Sequence, residues 1–357
     1  MIPPVSSGAY PRRDGNLVRA MIGGAEAFAR IAEAADTARE RVWVTVAFYA
    51  DDFRLPDGRG LFDLLEGAAR RGVDVRTVFW LPTAESAGYG RTYPIDAPGR
   101  AGVKRRWDRA AGAYAHHQKS WMIDDAGFVG GINLTAIAMT RHDAYVEVNG
   151  PCAADVAHNF VQRWNGASEP HAEDDLPLLP AVLAPCGPSQ VQIQRMLDAD
   201  RSILEQYERA IDAAERTIYI ENQAIPIPAI AARLEEALKR GVDVLLLVPA
   251  EPEASVYRAR HDPARRGPFD ALERIGRHPN FRLAGLPVYV HCKLMIVDES
   301  WATVGSCNLH SNSLGGHSEM NVSIWDEAVV RDLRERLRAR HEGRMFTLSP
   351  SQYAVTR

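Results

Sequence analysis

Residues 41–80 read RVWVTVAFYADDFRLPDGRGLFDLLEGAARRGVDVRTVFW, and residues 216–250 read RTIYIENQAIPIPAIAARLEEALKRGVDVLLLVPA. Each segment predicts a β-strand, a turn, an amphipathic helix, the sequence RGVDV and a second, buried strand. RGVDV opens at Arg71 and again at Arg240. Two copies of one α/β unit are the simplest explanation of this self-similarity.

The sequence around these copies predicts two similar halves. A further helix is predicted before each copy, over 23–40 and 198–215, and residues 168–190 are rich in proline and acidic residues, which is typical of a surface linker. We therefore expect a first half at 1–167, a linker at 168–190 and a second half at 191–357. Strands that alternate with helices predict the α/β class, with a mixed, mostly parallel sheet flanked by helices in each half.

Composition excludes several classes of protein. The chain has 357 residues, 46% of them hydrophobic and 25% charged, which is ordinary for a folded protein. No apolar run approaches the ~18 residues of a membrane span, and the N-terminus lacks the apolar core of a signal peptide. We expect a cytoplasmic protein with peripheral membrane contact; secretion after removal of a signal peptide is the alternative. A net charge of −4 disfavours nucleic acid as a partner.

The cysteines do not suggest a metal site. Their spacing forms no CxxC pair, which disfavours a zinc knuckle, and a chain of this length does not need disulfides for stability. Free thiols are therefore favoured over two disulfides at Cys152, Cys186, Cys292 and Cys307.

A short polar motif follows each repeat. The first copy is HHQKSWMIDDAGFVGGINL (116–134) and the second is VHCKLMIVDESWATVGSCNL (290–309). On a strand, side chains at i and i+2 share a face, so His117 and Lys119 are expected to point together, as are His291 and Lys293. Cys292 is expected to point away from them.

The rest of each motif predicts a hairpin. Asp124 and Asp298 lie seven residues after their histidines, an odd offset, so they are predicted to be structural partners of the strand. The returning strand would bring Asn133 and Asn308 back beside the His-x-Lys pairs. The first copy has one residue fewer between its Asp and Asn, which predicts a tighter turn. Packing alone does not require His, Lys and Asn at matching positions twice.

The two motifs resemble those of the phospholipase D superfamily, in which two HxKxxxxD…GxxN motifs meet between two similar α/β halves. HHQK (116–119), IYIENQ (218–223) and HSEMNVSIW (317–325) also resemble segments of that family. The resemblance extends from about Asn16 to about Arg338. It implies a pseudo-two-fold arrangement of the halves and chemistry that needs no metal or other cofactor. We expect a monomer.

The resemblance implies cleavage of a phosphodiester in two displacements through a phosphohistidine. One histidine attacks phosphorus, and the other protonates the leaving alcohol and then activates water or an acceptor alcohol. Positive charges and amide donors would stabilise the charge on the phosphoryl oxygens. The expected catalytic residues are His117, Lys119, Asn133, His291, Lys293 and Asn308. Ser306 and the backbone around Gly130 and Gly305 are further candidate donors, although Ser306 is equally well explained as a turn residue.

Two carboxylates occupy matching positions, ten residues after Asn133 and eleven after Asn308. By resemblance, Asp143 and Glu319 would each support a histidine; the alternative is a solvated charge at a strand end. The resemblance also implies that His117 is the nucleophile, and we interpret the shorter carboxylate and the tighter hairpin of the first copy as consistent with this order. His116 is expected to be structural, and His142 and His317 to lie behind the catalytic residues.

We expect an enzyme that acts on phospholipids, by hydrolysis or by exchange of the headgroup with an alcohol. The alternatives are a related phosphodiesterase acting on nucleic acid or a soluble diester, and a scaffold or lipid-binding protein with a degenerate site. Loops 81–115 and 250–287 lie at equivalent places and are expected to shape the site. The residues proposed for membrane contact are Trp80, Leu81, Tyr89, Tyr93, Leu286 and Pro287.

Overall fold

The computed structural model describes residues 1–167, 174–177 and 182–356. The strands of its first half are β1 (Arg13–Ile22), β2 (Arg41–Val46), β3 (Asp74–Trp80), β4 (Val103–Asp108), β5 (Ser120–Ile123), β6 (Ala126–Gly130) and β7 (Ala144–Asn149). The helices of this half are α1 (Gly24–Thr37), α2 (Leu61–Arg70) and α3 (Ala153–Gly166).

The second half repeats this series and adds four elements. Its strands are β8 (Ser189–Met196), β9 (Thr217–Asn222), β10 (Asp243–Leu247), β11 (Phe281–Gly285), β12 (Lys293–Val297), β13 (Trp301–Gly305), β14 (Glu319–Trp325) and β15 (Phe346–Thr347). Its helices are α4 (Ser202–Asp212), α5 (Pro228–Lys239), α6 (Ala254–His261), α7 (Gly267–Ile275), α8 (Ser311–Gly315) and α9 (Glu327–His341). The added elements are α6, α7, α8 and β15.

The order of the strands confirms the internal repeat. Hydrogen bonding links them in the order β15-β11-β10-β9-β12-β13-β14-β8-β1-β7-β6-β5-β2-β3-β4. Apart from β15, the order reads the same outward in both directions from the junction of β8 and β1. The predicted strand–helix–strand units are β2–α2–β3 and β9–α5–β10. The predicted α/β class with two similar halves is therefore confirmed.

The expected predominance of parallel strands is wrong. Pairing is parallel only along β2–β3–β4 and β9–β10–β11, and the other strand pairs in the described residues are antiparallel. The helix that crosses from β2 to β3 allows parallel pairing, whereas strands joined by a turn of a few residues pair antiparallel. The polar motifs lie in the antiparallel part of each sheet.

The core has three parts. One cluster is shared by both halves and includes Val146 of β7 and Val322 of β14. Each half also has an outer core between its sheet and its helices, with Leu65 of α2 in the first and Leu234 of α5 in the second. Since successive strand residues point to opposite faces, Trp43 of β2 packs in the shared core and its neighbours in the outer one. Both sheets are thus covered on two faces.

The N-terminal residues contact the second half of the chain. Ile2 belongs to the outer core of that half, and its carbonyl accepts a hydrogen bond from the Trp325 indole at 2.7 Å. The Gln192 amide donates to the carbonyls of Val5 and Tyr10 at 2.7 and 2.8 Å. The domain boundaries at 167 and 191 stay a prediction.

The described part of the predicted linker lies against the first half. Asp174 pairs with Arg76 and Arg106, and Asp175 with Arg106. Residues 168–173 and 178–181 of the linker lie outside the described residues. The predicted free thiols are confirmed for the four cysteines. Within the part of the chain that the structure covers, no helix is long and apolar enough to span a bilayer.

Candidate active site

Each polar motif folds into a β-hairpin, β5–β6 in the first half and β12–β13 in the second. Two residues separate the first pair of strands and three separate the second, in agreement with the spacing. Asp124 and Asp298 begin the two turns with φ of 47° and 53°, in the left-handed region that Asp tolerates better than most residues.

The two turn aspartates are attached to the start of the neighbouring strand. The Asp124 carboxylate accepts hydrogen bonds from the backbone N–H groups of Arg39, Glu40 and Arg41 at 2.8–3.3 Å. Burial raises the pKa of Asp124, but these donors outweigh it and hold the pKa below its ordinary value. Asp298 likewise accepts from the N–H groups before and at the start of β9. Both residues therefore fix the hairpin to the sheet.

Histidine and lysine share a face in each motif. His117 and Lys119 come just before β5, while His291 comes just before β12, which begins at Lys293. The Lys119 ammonium donates to the His117 carbonyl at 2.6 Å, and the Lys293 ammonium donates to the His291 carbonyl. Burial lowers the pKa of Lys119 to about 7 and that of Lys293 to about 8. Cys292 packs in the shared core instead.

The supporting carboxylates cross between the halves. The Nδ1 of His117 lies 2.9 Å from both carboxylate oxygens of Glu319, and the Nδ1 of His291 lies 2.5 Å from Asp143. The shorter carboxylate therefore serves the second histidine, which corrects our use of Asp143 to distinguish the environment of His117. The partners were misassigned because a matching position within a repeat does not determine which half a side chain faces.

Backbone hydrogen bonds across the halves explain this crossing. The His117 N–H donates to the Ser318 carbonyl at 3.0 Å, and the Ser318 N–H donates to the Ala115 carbonyl at 3.1 Å. The other half repeats the exchange, since the His291 N–H donates to the His142 carbonyl at 2.8 Å and the His142 N–H to the carbonyl of residue 289 at 2.9 Å. His117 thus lies beside the start of β14, and His291 lies beside the start of β7. The two motifs therefore share one site.

The electrostatics of the site favour neutral imidazoles. Burial and then the neighbouring lysines lower the pKa of both His117 and His291, and His291 also lowers that of His117. Burial raises the pKa of Asp143 to about 6, with Lys293 opposing the rise. Because Nδ1 of each ring is bonded to a carboxylate, Nε2 is the nitrogen left for a substrate. Within the described residues, neither Nε2 has a hydrogen-bond partner.

One asparagine follows the returning strand of each hairpin. The Oδ1 atoms of Asn133 and Asn308 are buried and have no hydrogen-bond partner within the described residues. An unpaired buried acceptor is unfavourable unless a hydrogen-bond donor of a ligand completes it. These side chains are therefore suited to contact a substrate.

The structure gives Ser306 and Gly130 hydrogen-bond partners within the protein, and donation to the phosphate from the backbone around Gly130 and Gly305 stays a prediction. Ser306 Oγ donates to Glu319 at 2.5 Å, so it orients the carboxylate behind His117. The Gly130 N–H donates to the Lys119 carbonyl. A Cβ on Gly130 would lie 2.5 Å from the Tyr145 ring, and one on Gly305 would overlap the Met320 carbonyl oxygen. Both glycines thus permit close packing of neighbouring strands.

Several residues of the site were missed from the sequence. Ser313 of α8 donates to Glu319 at 2.5 Å, so that this carboxylate is bonded to two hydroxyls and one imidazole. Gln223, the last residue of IYIENQ, accepts from the Lys293 ammonium at 3.1 Å. The IYIENQ segment pointed to this region, but nothing in the sequence indicated Ser313.

A buried network lies behind His291. The Nε2 of His142 is 2.6 Å from Glu221, which also accepts from the Tyr219 hydroxyl. One ligand atom from each of His142, Glu221 and His341 lies within 4.8 Å of the others, so these side chains have the donors for a divalent metal such as zinc. In the structure these side chains form a hydrogen-bond network that holds His142 in place. The backbone carbonyl of His142 in turn accepts the hydrogen bond from the His291 N–H.

The side of the site nearest His117 is aromatic. His317 packs against His117, Tyr89 and Tyr114 with ring centroids 5.5–5.9 Å apart, and Phe48 contacts His117 at 5.7 Å. Burial and, less strongly, His117 lower the pKa of His317 to about 3. Tyr89 and Tyr114 come from loop 81–115.

The burial of individual side chains tests the remaining expectations about this region. His116 is fully buried, and its Nδ1 lies 2.8 Å from Asp108, as expected of a structural residue. Trp80, Tyr93 and Leu286 are also buried, at 0%, 3% and 4% exposure, which contradicts their proposed contact with a membrane. They are large apolar side chains that fill the cores. Of the six residues proposed, Leu81 is half-buried, and Tyr89 and Pro287 are exposed.

Comparisons with known proteins match these features. The family described as "Cardiolipin synthase, PLD-like domain" matches twice, at residues 31–164 and 207–340. Cardiolipin synthase A of Pseudomonas aeruginosa is 28% identical over 92% of this chain and 68% of its own length. Cardiolipin synthase of Listeria innocua is 25% identical over 98% of this chain and 73% of its own. Phospholipase D A of Dictyostelium discoideum is 24% identical over 95% of this chain and 35% of its own.

Solved structures agree on the fold. Phosphatidylserine synthase of Haemophilus influenzae superposes with a TM-score of 0.70 and 12% identity, over 97% of this chain and 91% of its own. Polyphosphate kinase of Porphyromonas gingivalis gives a TM-score of 0.58 and 13% identity, over 94% of this chain and 49% of its own. Each of the two family matches contains one polar hairpin. The chain belongs to the phospholipase D superfamily of phosphodiesterases and transphosphatidylases, within the PLD-like domain family of cardiolipin synthases.

Proposed function

We propose that this enzyme is a phosphatidyltransferase of the cardiolipin synthase type, which transfers a phosphatidyl group from one phospholipid to an alcohol through a phosphohistidine. The observation that carries the proposal is the pair of imidazoles in one buried site, each bonded at Nδ1 to the carboxylate of the opposite half. The names of its relatives support a phospholipid substrate.

In the first displacement, Nε2 of His117 attacks phosphorus and the bond from phosphorus to the leaving oxygen breaks. His291 gives its proton to that oxygen, so that a neutral alcohol leaves. Binding of the phosphate anion raises the pKa of His291 and supplies the protonated form that this step needs. The acid role also suits Asp143, whose pKa of about 6 lets the Asp143–His291 pair hold a proton near neutral pH.

In the second displacement, neutral His291 takes the proton of an acceptor alcohol, whose oxygen attacks phosphorus. The P–N bond breaks and His117 is regenerated. Water in place of the alcohol would give phosphatidic acid. Lys119, Lys293 and the amides of Asn133 and Asn308 would stabilise the negative oxygens in both steps.

Access from a bilayer is part of the proposal. Tyr89 lies against His317 beside the site and is 41% exposed, and Ile137, in the segment between Asn133 and Arg141, is 46% exposed. We propose that these side chains contact the membrane peripherally, in place of the buried residues considered above. The double replacement Tyr89→Ser and Ile137→Ser should weaken binding to phosphatidylglycerol vesicles, and unchanged binding would contradict this contact.

Product analysis tests the proposed reaction. Purified protein is incubated with mixed phospholipids and glycerol or ethanol, with and without EDTA, and the lipids are separated by mass spectrometry. A phosphatidyl-alcohol product that persists in EDTA and is lost in His117→Ala supports the proposal. Phosphatidic acid alone would mean hydrolysis. Cleavage of single-stranded DNA without lipid products would favour a nuclease, and vesicle binding without turnover a lipid-binding protein.

A further inference from the structure

A buried group of metal-binding side chains lies behind His291 and contains none of the proposed catalytic residues. Its members are His142, Glu221 and His341, all of them buried. One ligand atom from each lies within 4.8 Å of the other two. The Tyr219 hydroxyl donates to Glu221 and lies 3.2 Å from Nδ1 of His341, so a fourth oxygen is at hand. Imidazole nitrogens and carboxylate oxygens are ligands that zinc binds well.

The three side chains come from separate parts of the molecule. His142 precedes β7 in the first half, Glu221 lies in β9 and His341 ends α9. A metal bound to all three would link the two halves and α9 at one point. The His142 carbonyl accepts from the His291 N–H at 2.8 Å, so this link would also hold the segment beside a proposed catalytic histidine.

The fold itself does not require these ligands. Thr45 of β2 occupies the position that Glu221 has in β9, since each pairs with the third residue after the catalytic histidine of its half. The crossed backbone bonds likewise make Ser318 the equivalent of His142. The first half thus has hydroxyls where the second half has a carboxylate and an imidazole. The ligands of the second half therefore need an explanation other than the shared fold.

The hydrogen-bond network leaves part of the group unsatisfied. The Nε2 of His341 is buried and has no hydrogen-bond partner within the described residues. A buried polar atom without a partner is unfavourable. A metal–nitrogen bond to this ring would provide stabilisation that the hydrogen bonds do not.

The spacing of the side chains suits a small ion. Zinc bonds of about 2.0–2.1 Å place tetrahedral ligand atoms roughly 3.3 Å apart. The observed separations lie on both sides of this value, at 2.6 Å between His142 and Glu221 and 3.6 Å between His341 and Glu221. A cavity of about 340 Å³ is lined by Tyr219 and His341. It gives the rings room to adjust and the ion a route to the group.

The local charges favour zinc over a harder cation. Glu221 provides one negative charge, whereas the Arg334 guanidinium lies over the Tyr219 ring, 4.0 Å from its centroid, and opposes a cation. Calcium and magnesium need several oxygen ligands, and this group offers fewer. Zinc binds neutral imidazole strongly and so depends less on negative charge.

We propose that His142, Glu221 and His341 bind one zinc ion, which fastens α9 to both halves. The site is structural, because none of its ligands is a proposed catalytic residue. Removal of the ion should therefore lower the stability of the protein and leave the transfer reaction intact. Its binding can be measured whatever the substrate of the enzyme is.

The test is a calorimetric titration of zinc into the chelator-treated full chain. The wild type should bind one equivalent, and its thermal midpoint should rise by several degrees. His341→Phe, which keeps a ring in place, should weaken binding more than about tenfold, the loss typical of removing even an outer partner of a ligand. His261→Phe, a change at an exposed histidine, should leave binding unchanged. Equal binding by the wild type and His341→Phe would overturn the proposal.

The proposed catalytic imidazoles are the competing place for a zinc ion. X-ray absorption of zinc-loaded His117→Ala separates the two places and leaves the three proposed ligands unchanged. Two imidazoles at about 2.0–2.1 Å from zinc should persist in this variant. Loss of zinc or of one imidazole would locate the ion at His117 and overturn the proposal. Should His341→Phe not fold, this measurement decides the question.

Discussion

The Nδ1 of His117 lies 2.9 Å from both carboxylate oxygens of Glu319, a residue 202 positions later in the other half of the chain. His291 has the reciprocal arrangement with Asp143, 148 positions earlier. Neither catalytic histidine is therefore paired with a carboxylate of its own half. A carboxylate at Nδ1 fixes the tautomer and ring orientation of an imidazole. Each half therefore orients the catalytic histidine of the other half.

Replacing either carboxylate should impair the histidine across the interface. Glu319→Gln should lower kcat about 10²–10⁴-fold, because the wrong tautomer then points to the substrate. ¹⁵N NMR of the imidazoles should show a changed Nδ1–Nε2 pattern for His117 in Glu319→Gln and for His291 in Asp143→Asn. If each variant instead perturbs the histidine of its own half, the crossed pairing is wrong.

The covalent intermediate should form on His117. In His291→Ala, a lipid with a p-nitrophenyl leaving group should still phosphorylate the enzyme, since this leaving group needs no proton. The burst should be slowed far less than the ~10²–10⁴-fold typical of the loss of a general acid with a natural lipid. Mass spectrometry of the trapped protein locates the phosphate. Phosphate on His291 of the wild-type enzyme and none on His117 would reverse the two roles.

Asp124 should contribute to stability rather than to chemistry. Asp124→Ala removes the acceptor of three backbone N–H groups and places Ala at φ 47°, so we expect a loss of about 2–4 kcal/mol in the free energy of unfolding. Asp124→Asn keeps one acceptor oxygen and tolerates this φ, and should cost less. Urea unfolding measures both, with exposed Asp125→Ala as the control. Equal stability of Asp124→Ala and the control would contradict the role.

Acid should destabilise the protein partly through His317. Its pKa falls from 6.5 to about 3 on folding, so its contribution to stability is present above pH 6.5 and is lost as pH falls toward 3. His317→Phe keeps the ring packing but loses the hydrogen bond from Ala115, at a cost of about 1 kcal/mol at pH 7. Between pH 6 and pH 4 the wild type should lose about 1.4 kcal/mol per pH unit relative to His317→Phe, so the deficit should disappear and then reverse, leaving the variant the more stable protein at pH 4.

Denaturant unfolding of wild type and His317→Phe across pH 4–7 measures this difference. As the pH falls, the free energy of unfolding should decrease more steeply for the wild type. The reason is that unfolding of the wild type takes up one additional proton. Parallel curves would show that His317 does not stay neutral in the folded protein.

Local pattern was sufficient for several features. The repeated RGVDV segments predicted the strand–helix–strand units, because an amphipathic helix and a buried strand have distinct periods. The alternation of side chains along an extended chain predicted that His117 and Lys119 share a face and that Cys292 packs elsewhere, as the structure shows. The one-residue difference in spacing gave the shorter turn after β5.

The sequence by itself thus determined the two α/β units, the hairpins and the face that each His-x-Lys pair occupies, since these depend on neighbours within a few residues. Only the tertiary structure decided that Glu319 faces His117, that Ser313 orients this carboxylate and that Arg141 stacks on Tyr289. Those contacts join positions up to about two hundred residues apart. They depend on how the two sheets meet across the shared core, where spacing along the chain no longer sets the distance between side chains.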